Sequence, residues 1–139
     1  MSLLMVMDGQ GGGIGRAIIK RLRDTFGEEV EILALGTNSV STSQMMKAGA
    51  NRGATGENAI IKTAPVVDII IGPLAIIMAN SMMGEVTPGM SQAISSSKAL
   101  KILIPLTQER VEIVGASGEP LPHLIDQIIE IIKGGENDV

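Results

Sequence analysis

A chain of 139 residues is long enough to bury a core and short enough to form one domain. Apolar residues at 45% and charged residues at 19% exclude disorder, and no run approaches the roughly 20 apolar residues that cross a bilayer. A formal net charge of -4 and a single aromatic ring, Phe26, argue against nucleic acid, which calls for basic patches and aromatic rings on which bases stack.

The chain opens with an apolar run, Leu3 to Met7, that ends in Asp8. Five glycines then fall within seven positions, Gly9, Gly11, Gly12, Gly13 and Gly15. Helical periodicity starts at once with Ile14, Ile18, Leu22 and Phe26, so this stretch predicts strand, tight turn and helix. A glycine-rich junction of that kind lets backbone amides approach an anion at the positive end of the helix. Gly27 caps the helix, and Val30 to Leu35 is the second strand. After a polar turn, Gly36 to Ser39, the residues Ser41 to Ser43 offer N-caps for a helix through Met45, Met46 and Ala50. Asn51 to Asn58, NRGATGEN, predicts a small polar loop, followed by a helix from Ala59 that Pro65 stops.

Val66 to Ile71 is broken only by Asp68, as expected of a strand buried on both faces of a parallel sheet. Gly72 and Pro73 end it. A helix is expected over Leu74 to Met83, and Gly84 separates it from another that Thr87 caps, with Pro88 in the favoured first position. Leu100 to Ile104 predicts a strand stopped by Pro105, and the alternating Arg110 to Val114 suits a charged edge strand. The last helix is expected from about Pro120 to Lys133, ended by Gly134 and Gly135. Its apolar residues, Leu121, Leu124, Ile125, Ile128, Ile129, Ile131 and Ile132, exceed one ordinary face; they pack deeply on the sheet or meet another subunit. The nine methionines either fill core gaps or form an adaptable surface at Met78, Met82, Met83 and Met90.

Strands alternating with helices give one α/β domain over residues 1–139. It is a Rossmann-like, doubly wound, mostly parallel sheet of about five strands with helices on both faces, right-handed crossovers and strand one central. The chain has no cysteine, and Leu3 to Met7 is too short and lacks the basic start of a signal peptide, so the cytoplasm is expected and a membrane is not. No HExxH or DxDxDG pattern argues for a metal, His123 has no second ligand at useful spacing, and no GxSxG elbow is present.

Spacing decides which nucleotide motif the glycine turn follows. GxGxxG fails from Gly9 at Ile14 and from Gly11 at Arg16, and GxxxxGKS/T is absent. Gly9, Gly13 and Gly15 fit GxxxGxG, and with Asp8, Ile14, Ala17 and Leu22 they resemble the TGxxxGIG turn and following helix of the short-chain dehydrogenase/reductase family. The resemblance implies a dinucleotide pyrophosphate over the turn, with Gly15 and Ala17 letting the helix pack close to the sheet. Asp68 to Ala75, DIIIGPLA, is similar to that family's DxLVNNAG strand end. The family's acidic ribose ligand after strand two has no match at Gly36, Thr37, Asn38 or Ser39, which leans the cofactor toward NADP over NAD. Arg16 and Arg52 are candidate phosphate partners. The family's catalytic Tyr is missing, because the chain contains no tyrosine, and the chain has about half that family's usual length.

Over nearly its whole length the chain more closely resembles a small bacterial family known only as a domain of unknown function. The residues that carry this are DGQGGGIG of Asp8 to Gly15, ATGENAI of Ala54 to Ile60 and ANSMMGEVTP of Ala79 to Pro88. That family implies the fold and leaves activity open.

The candidate cofactor-binding residues are therefore Gly9, Gln10, Gly11, Gly12, Gly13, Ile14 and Gly15 in the turn, Thr37, Asn38 and Ser39 after strand two, Thr55 and Gly56, and Gly72 and Pro73. Thr55 to Asn58 either reaches over the adenosine end of a nucleotide or only starts a helix, with Thr55 as its cap. Asp8 is expected to bond the turn's amides. Asn80 and Glu85 are not needed for capping, so they are the candidate catalytic pair, with Glu85 the best general acid or base. Three functions follow: a nucleotide- or dinucleotide-binding homo-oligomer (NADP or NAD) in a sensor or accessory role; an enzyme completed at a subunit interface by Glu85, Asn80 and Lys62 or Lys98; or a structural subunit with an empty cradle.

Overall fold

A computed structural model describes residues 2–137 and the side chains of 2–135. The sheet is built of β1 (Ser2–Asp8), β2 (Val30–Gly36), β3 (Arg52–Thr55), β4 (Ile69–Pro73) and β5 (Leu100–Ile104). The helices are α1 (Gly13–Phe26), α2 (Ser39–Lys47), α3 (Glu57–Thr63), α4 (Pro88–Ser96) and α5 (Leu121–Asn137). All pairings are parallel, in the order β3-β2-β1-β4-β5, so β1 is central as expected.

Each central strand is buried on both faces, and its side chains divide by the two-residue period of a strand. Leu4 and Val6 of β1 join Ile32 and Ala34 of β2 in a core closed by Ile18, Ile19 and Leu22 of α1 and by Leu124, Ile125, Ile128 and Ile129 of α5. Met5 and Met7, with Leu33, Leu35 and Ile70, face the opposite core, closed by Ile60 of α3 and Met90 and Ile94 of α4. This is the doubly wound α/β arrangement. The apolar excess of α5 is thus spent on the sheet, apart from Ile131, which is exposed. Met5, Met7, Met45 and Met90 fill core positions, whereas Met83 is 96% exposed.

Six expectations need correction. The strand expected over Val66 to Ile71 is shifted, since Ala64–Val66 is a 3-10 turn and β4 runs from Ile69 through Gly72 and Pro73, which pair with Leu103 and Ile104 of β5. The polar stretch after α2 contains a strand, β3, whose four residues are all exposed; backbone pairing from Leu33↔Arg52 to Gly36↔Thr55 holds it, so no apolar pattern announced it. Conversely, Arg110 to Val114 forms no strand. Its backbone bonds are local, such as Val111 N–H to the Glu109 carbonyl, and its alternation offers no face that reaches the core: Val111, Ile113 and Val114 are exposed. Leu74 to Met83 makes only one 3-10 turn, Leu74–Ile77. The Ser81 hydroxyl donates to the Ala75 carbonyl at 2.6 Å, and Asn80, Met82 and Met83 adopt positive φ of 66°, 55° and 56°, which no right-handed helix tolerates. The caps also differ: Asn38, not Ser41 to Ser43, caps α2, and Gly56, not Thr55, precedes α3. Finally, α5 runs through Gly134 and Gly135.

Candidate functional site

The chain leaves β1 for β2 and β3 on one side, then returns to place β4 on the other side of β1. The order of the sheet therefore reverses between β1 and β4, and ligands of open α/β sheets sit in the crevice outside the strand ends at such a point. A depression of about 550 Å³ lies there, within the range of small-molecule sites. Asp8 and Pro73, the last residues of β1 and β4, line it with Gln10, Ile14, Ala75, Asn80, Met82, Met83 and the segment Leu106 to Glu109.

The glycine turn is tight: the Gly12 N–H donates to the Gly9 carbonyl at 2.9 Å, and Gln10 and Gly12 have φ of 51° and 76°. Three of its glycines are required by packing: a Cβ on Gly12, whose φ is positive, would lie 2.8 Å from Ser41 Cα. A Cβ on Gly15 would lie 2.6 Å from Met45 Sδ and 2.9 Å from Asp8 Cβ, so α1 approaches the sheet closely there. A Cβ on Gly9 would lie 2.5 Å from Thr37 Oγ1 and 2.6 Å from Met82 Sδ. By contrast, Gly11 and Gly13 are exposed, and a Cβ on either meets nothing within 4 Å.

The chain's own carboxylates hold several amides of the turn. Asp8, 4% exposed, accepts the Gly9 N–H on Oδ1 at 2.8 Å and the Gly15 N–H on Oδ2 at 2.7 Å. Burial pushes its pKa up. The amides of Gly15, Gly9 and Ile14 oppose the rise without cancelling it, and the nearby Glu85 charge adds to it. Glu85 reaches the turn from the loop before α4. Its Oε1 accepts from Gln10 N–H at 2.8 Å, Thr37 Oγ1 at 2.7 Å and Asn38 Nδ2 at 2.8 Å. Desolvation raises the Glu85 pKa, but these three donors outweigh it and hold the group below its ordinary value. The carboxylate is thus a firmly held anion. Among the described residues, the Gly11 and Gly13 amides have no partner, and both lie at the N-terminal end of α1.

The predicted residues separate accordingly. Gly9, Gln10, Thr37, Asn38 and Glu85 come together in one network, with Asn80 and Pro73 on the crevice wall. Ser39 begins α2 and is exposed. Thr55 ends the edge strand and shares a hydrogen bond with Thr42 at 2.7 Å, and Gly56 follows it away from the crevice lining. Gly72 serves strand packing, since a Cβ there would stand 2.5 Å from the Met7 carbonyl oxygen. Lys62 and Lys98 line two other depressions. Arg16 turns to Gln44 and Arg52 pairs with Glu31 at 2.8 Å, so neither lines the crevice. His123 is exposed. Sequence reasoning missed Leu106 to Glu109; Glu109 bonds the Met82 N–H at 3.0 Å and fixes the crevice's outer wall. No local signal marked that segment. Among the described residues there is no cluster of three or more metal-ligating side chains, and no helix is long and apolar enough to cross a membrane.

No curated protein matches the sequence. Among solved structures the fold is similar to that of a dodecameric FMN-dependent UbiX-like decarboxylase from Escherichia coli O157:H7, at 14% identity and a TM-score of 0.50, covering 96% of this chain and 94% of that one. The sequence matches the family model described as Domain of unknown function (DUF3842) over residues 3–136, and the chain belongs to that family.

Proposed function

We propose that the crevice between β1 and β4 binds a nucleotide cofactor whose phosphate rests on the glycine turn, and that the protein acts as a sensor or accessory domain. The observation that carries this is the pair of unpartnered amides at Gly11 and Gly13. They stand at the positive end of a 14-residue helix, at two glycines whose Cβ positions are open space, beside the crevice at the sheet's switch point. Ile14, Pro73, Ala75, Met82 and Leu106 supply an apolar wall for a ring system. NAD and NADP remain the candidates from the glycine spacing. FMN joins them because the structural neighbour is FMN-dependent, and that neighbour's dodecameric state likewise supports expecting a homo-oligomer here.

Isothermal titration of the purified protein with FMN, FAD, NAD, NADP and ATP tests the proposal. Binding of at least one at micromolar concentration is expected, and a Gly13→Ala variant should weaken it, because the added methyl stands where the phosphate approaches. Absence of heat with every nucleotide, at protein concentrations suited to micromolar affinity, would leave the structural subunit with an empty cradle.

A further inference from the structure

In dinucleotide-binding sheets an acidic residue at the end of the second strand accepts the ribose hydroxyls. Here Gly36 to Ser39, at that position, are uncharged. The space is nevertheless charged. Glu85, arriving from the loop beyond β4, bonds Thr37 Oγ1 and Asn38 Nδ2 through one oxygen, and the same oxygen takes the Gln10 amide of the glycine turn.

Asn38 is not free to turn away, because its Oδ1 accepts the Ser41 N–H at 2.9 Å as the cap of α2, and its Nδ2 also reaches the Gln10 carbonyl at 3.0 Å. The loop that carries Glu85 is fixed too. Ser81, 2% exposed, anchors it to the Ala75 carbonyl, and the Asn80 N–H donates to the Val86 carbonyl at 2.7 Å. Three donors on Oε1 leave Oε2 without a partner among the described residues; it is not buried, and Glu85 stands beside the crevice, adjoining its lining at Gln10. The crevice lining offers no Lys or Arg to neutralise a second anion.

We propose, resting on the nucleotide reading above, that Glu85 is the specificity-determining residue of the crevice. Its Oε2 accepts the hydroxyls of an unphosphorylated ribose, and its charge rejects a ribose bearing a 2′-phosphate. The cofactor class is then NAD-like rather than NADP-like, the reverse of the preference that the uncharged turn suggested. A carboxylate facing a phosphate across a few ångströms of solvated space weakens binding by about tenfold.

The test uses two adenosine fragments, 5′-AMP and 2′,5′-ADP, titrated calorimetrically into the wild type and Glu85→Gln. Glutamine keeps an oxygen for the three donors and removes the charge; circular dichroism checks its fold. The wild type is expected to bind 5′-AMP at least about tenfold more tightly than 2′,5′-ADP, and the gap is expected to close in Glu85→Gln. Equal affinities in the wild type, which needs no variant, overturn the proposal. So does an undiminished gap in Glu85→Gln, or an equal gain by both fragments, which would make Glu85 a plug and not a selector. A wild type that binds FMN but neither adenosine fragment overturns the role of Glu85 while leaving the nucleotide reading standing. Failure with every nucleotide removes both.

Discussion

The same substitution at two positions one residue apart from being neighbours in α1 should have opposite effects. Gly13→Ala places its Cβ in open space at the first residue of the helix. Removing glycine's backbone freedom there stabilises by about 0.5 kcal/mol. Gly15→Ala carries a similar backbone gain, but its Cβ meets Met45 Sδ at 2.6 Å and Asp8 Cβ at 2.9 Å. Met45 is fully buried, and Asp8 cannot retreat without pulling its carboxylate from the Gly9 and Gly15 amides. Overpacking of this kind costs about 1–3 kcal/mol, leaving a net loss of about 0.5–2.5 kcal/mol after the backbone gain. The two variants should then differ by about 2 kcal/mol, or about 7 °C in Tm for a domain of this size. The chain has no Trp or Tyr, so urea and thermal unfolding are best followed by far-ultraviolet circular dichroism. A Gly15→Ala protein as stable as Gly13→Ala would refute the close approach of α1 to β1.

Two further outcomes follow from the carboxylates. Asp8→Ala strips acceptors from the buried Gly9 and Gly15 amides and should lower unfolding free energy by about 2–4 kcal/mol, with Asp8→Asn, which keeps one acceptor, losing less; a loss below about 1 kcal/mol in Asp8→Ala would disprove the bonding described. Asp8 and Glu85 should also bend the pH dependence of stability in opposite directions, measured by urea unfolding of wild type against Asp8→Asn and Glu85→Gln. The Asp8 pKa is raised, so its contribution is complete below 3.8 and is lost as pH rises through the folded value; that of Glu85 is lowered, so its contribution is present above 4.5 and is lost as pH falls through the folded value. Parallel curves for wild type and both variants would contradict the two environments.

The order of elements was legible where burial imposes a pattern. Val30 to Leu35 and the apolar run leading into β4 are nearly continuous because these central parallel strands are covered on both faces, and α1 shows its 3.6-residue stripe because only one side meets the sheet. β3 was invisible for the complementary reason: an exposed edge strand is held by backbone bonds, which Arg52, Gly53, Ala54 and Thr55 form as well as any residues. The glycine turn could be placed from its spacing, and so could the service of Asp8 to the amides. The destination of Glu85 could not be placed. It depends on the left-handed turns at Asn80, Met82 and Met83, which reverse a segment whose composition favours a helix and carry a carboxylate to residues 47 and 48 positions earlier. Tertiary bonds such as Ser81 to Ala75 decide that path, and no local propensity encodes them.

The crevice carries an electrostatic tension that constrains how any nucleotide could lie in it. Asp8 and Glu109 line it, Glu85 stands at its edge, and no Lys or Arg lines it, yet a nucleotide brings negative charge. Asp8 turns both oxygens toward amides of the turn and so spends much of its field there, whereas the exposed Gly11 and Gly13 amides add to the positive end of α1, equivalent to roughly half an elementary charge. Among the described residues the helix terminus is therefore the place the proposed phosphate would take, and the Thr37, Asn38 and Glu85 corner would suit neutral hydroxyls. With phosphate and sugar assigned to separate corners, the ring is left to the apolar wall of Ile14, Pro73, Ala75 and Leu106. If the proposed nucleotide binds here, a free phosphate would satisfy one corner alone and a bare ring another, so each should bind more weakly than a ligand that carries all three parts on one skeleton.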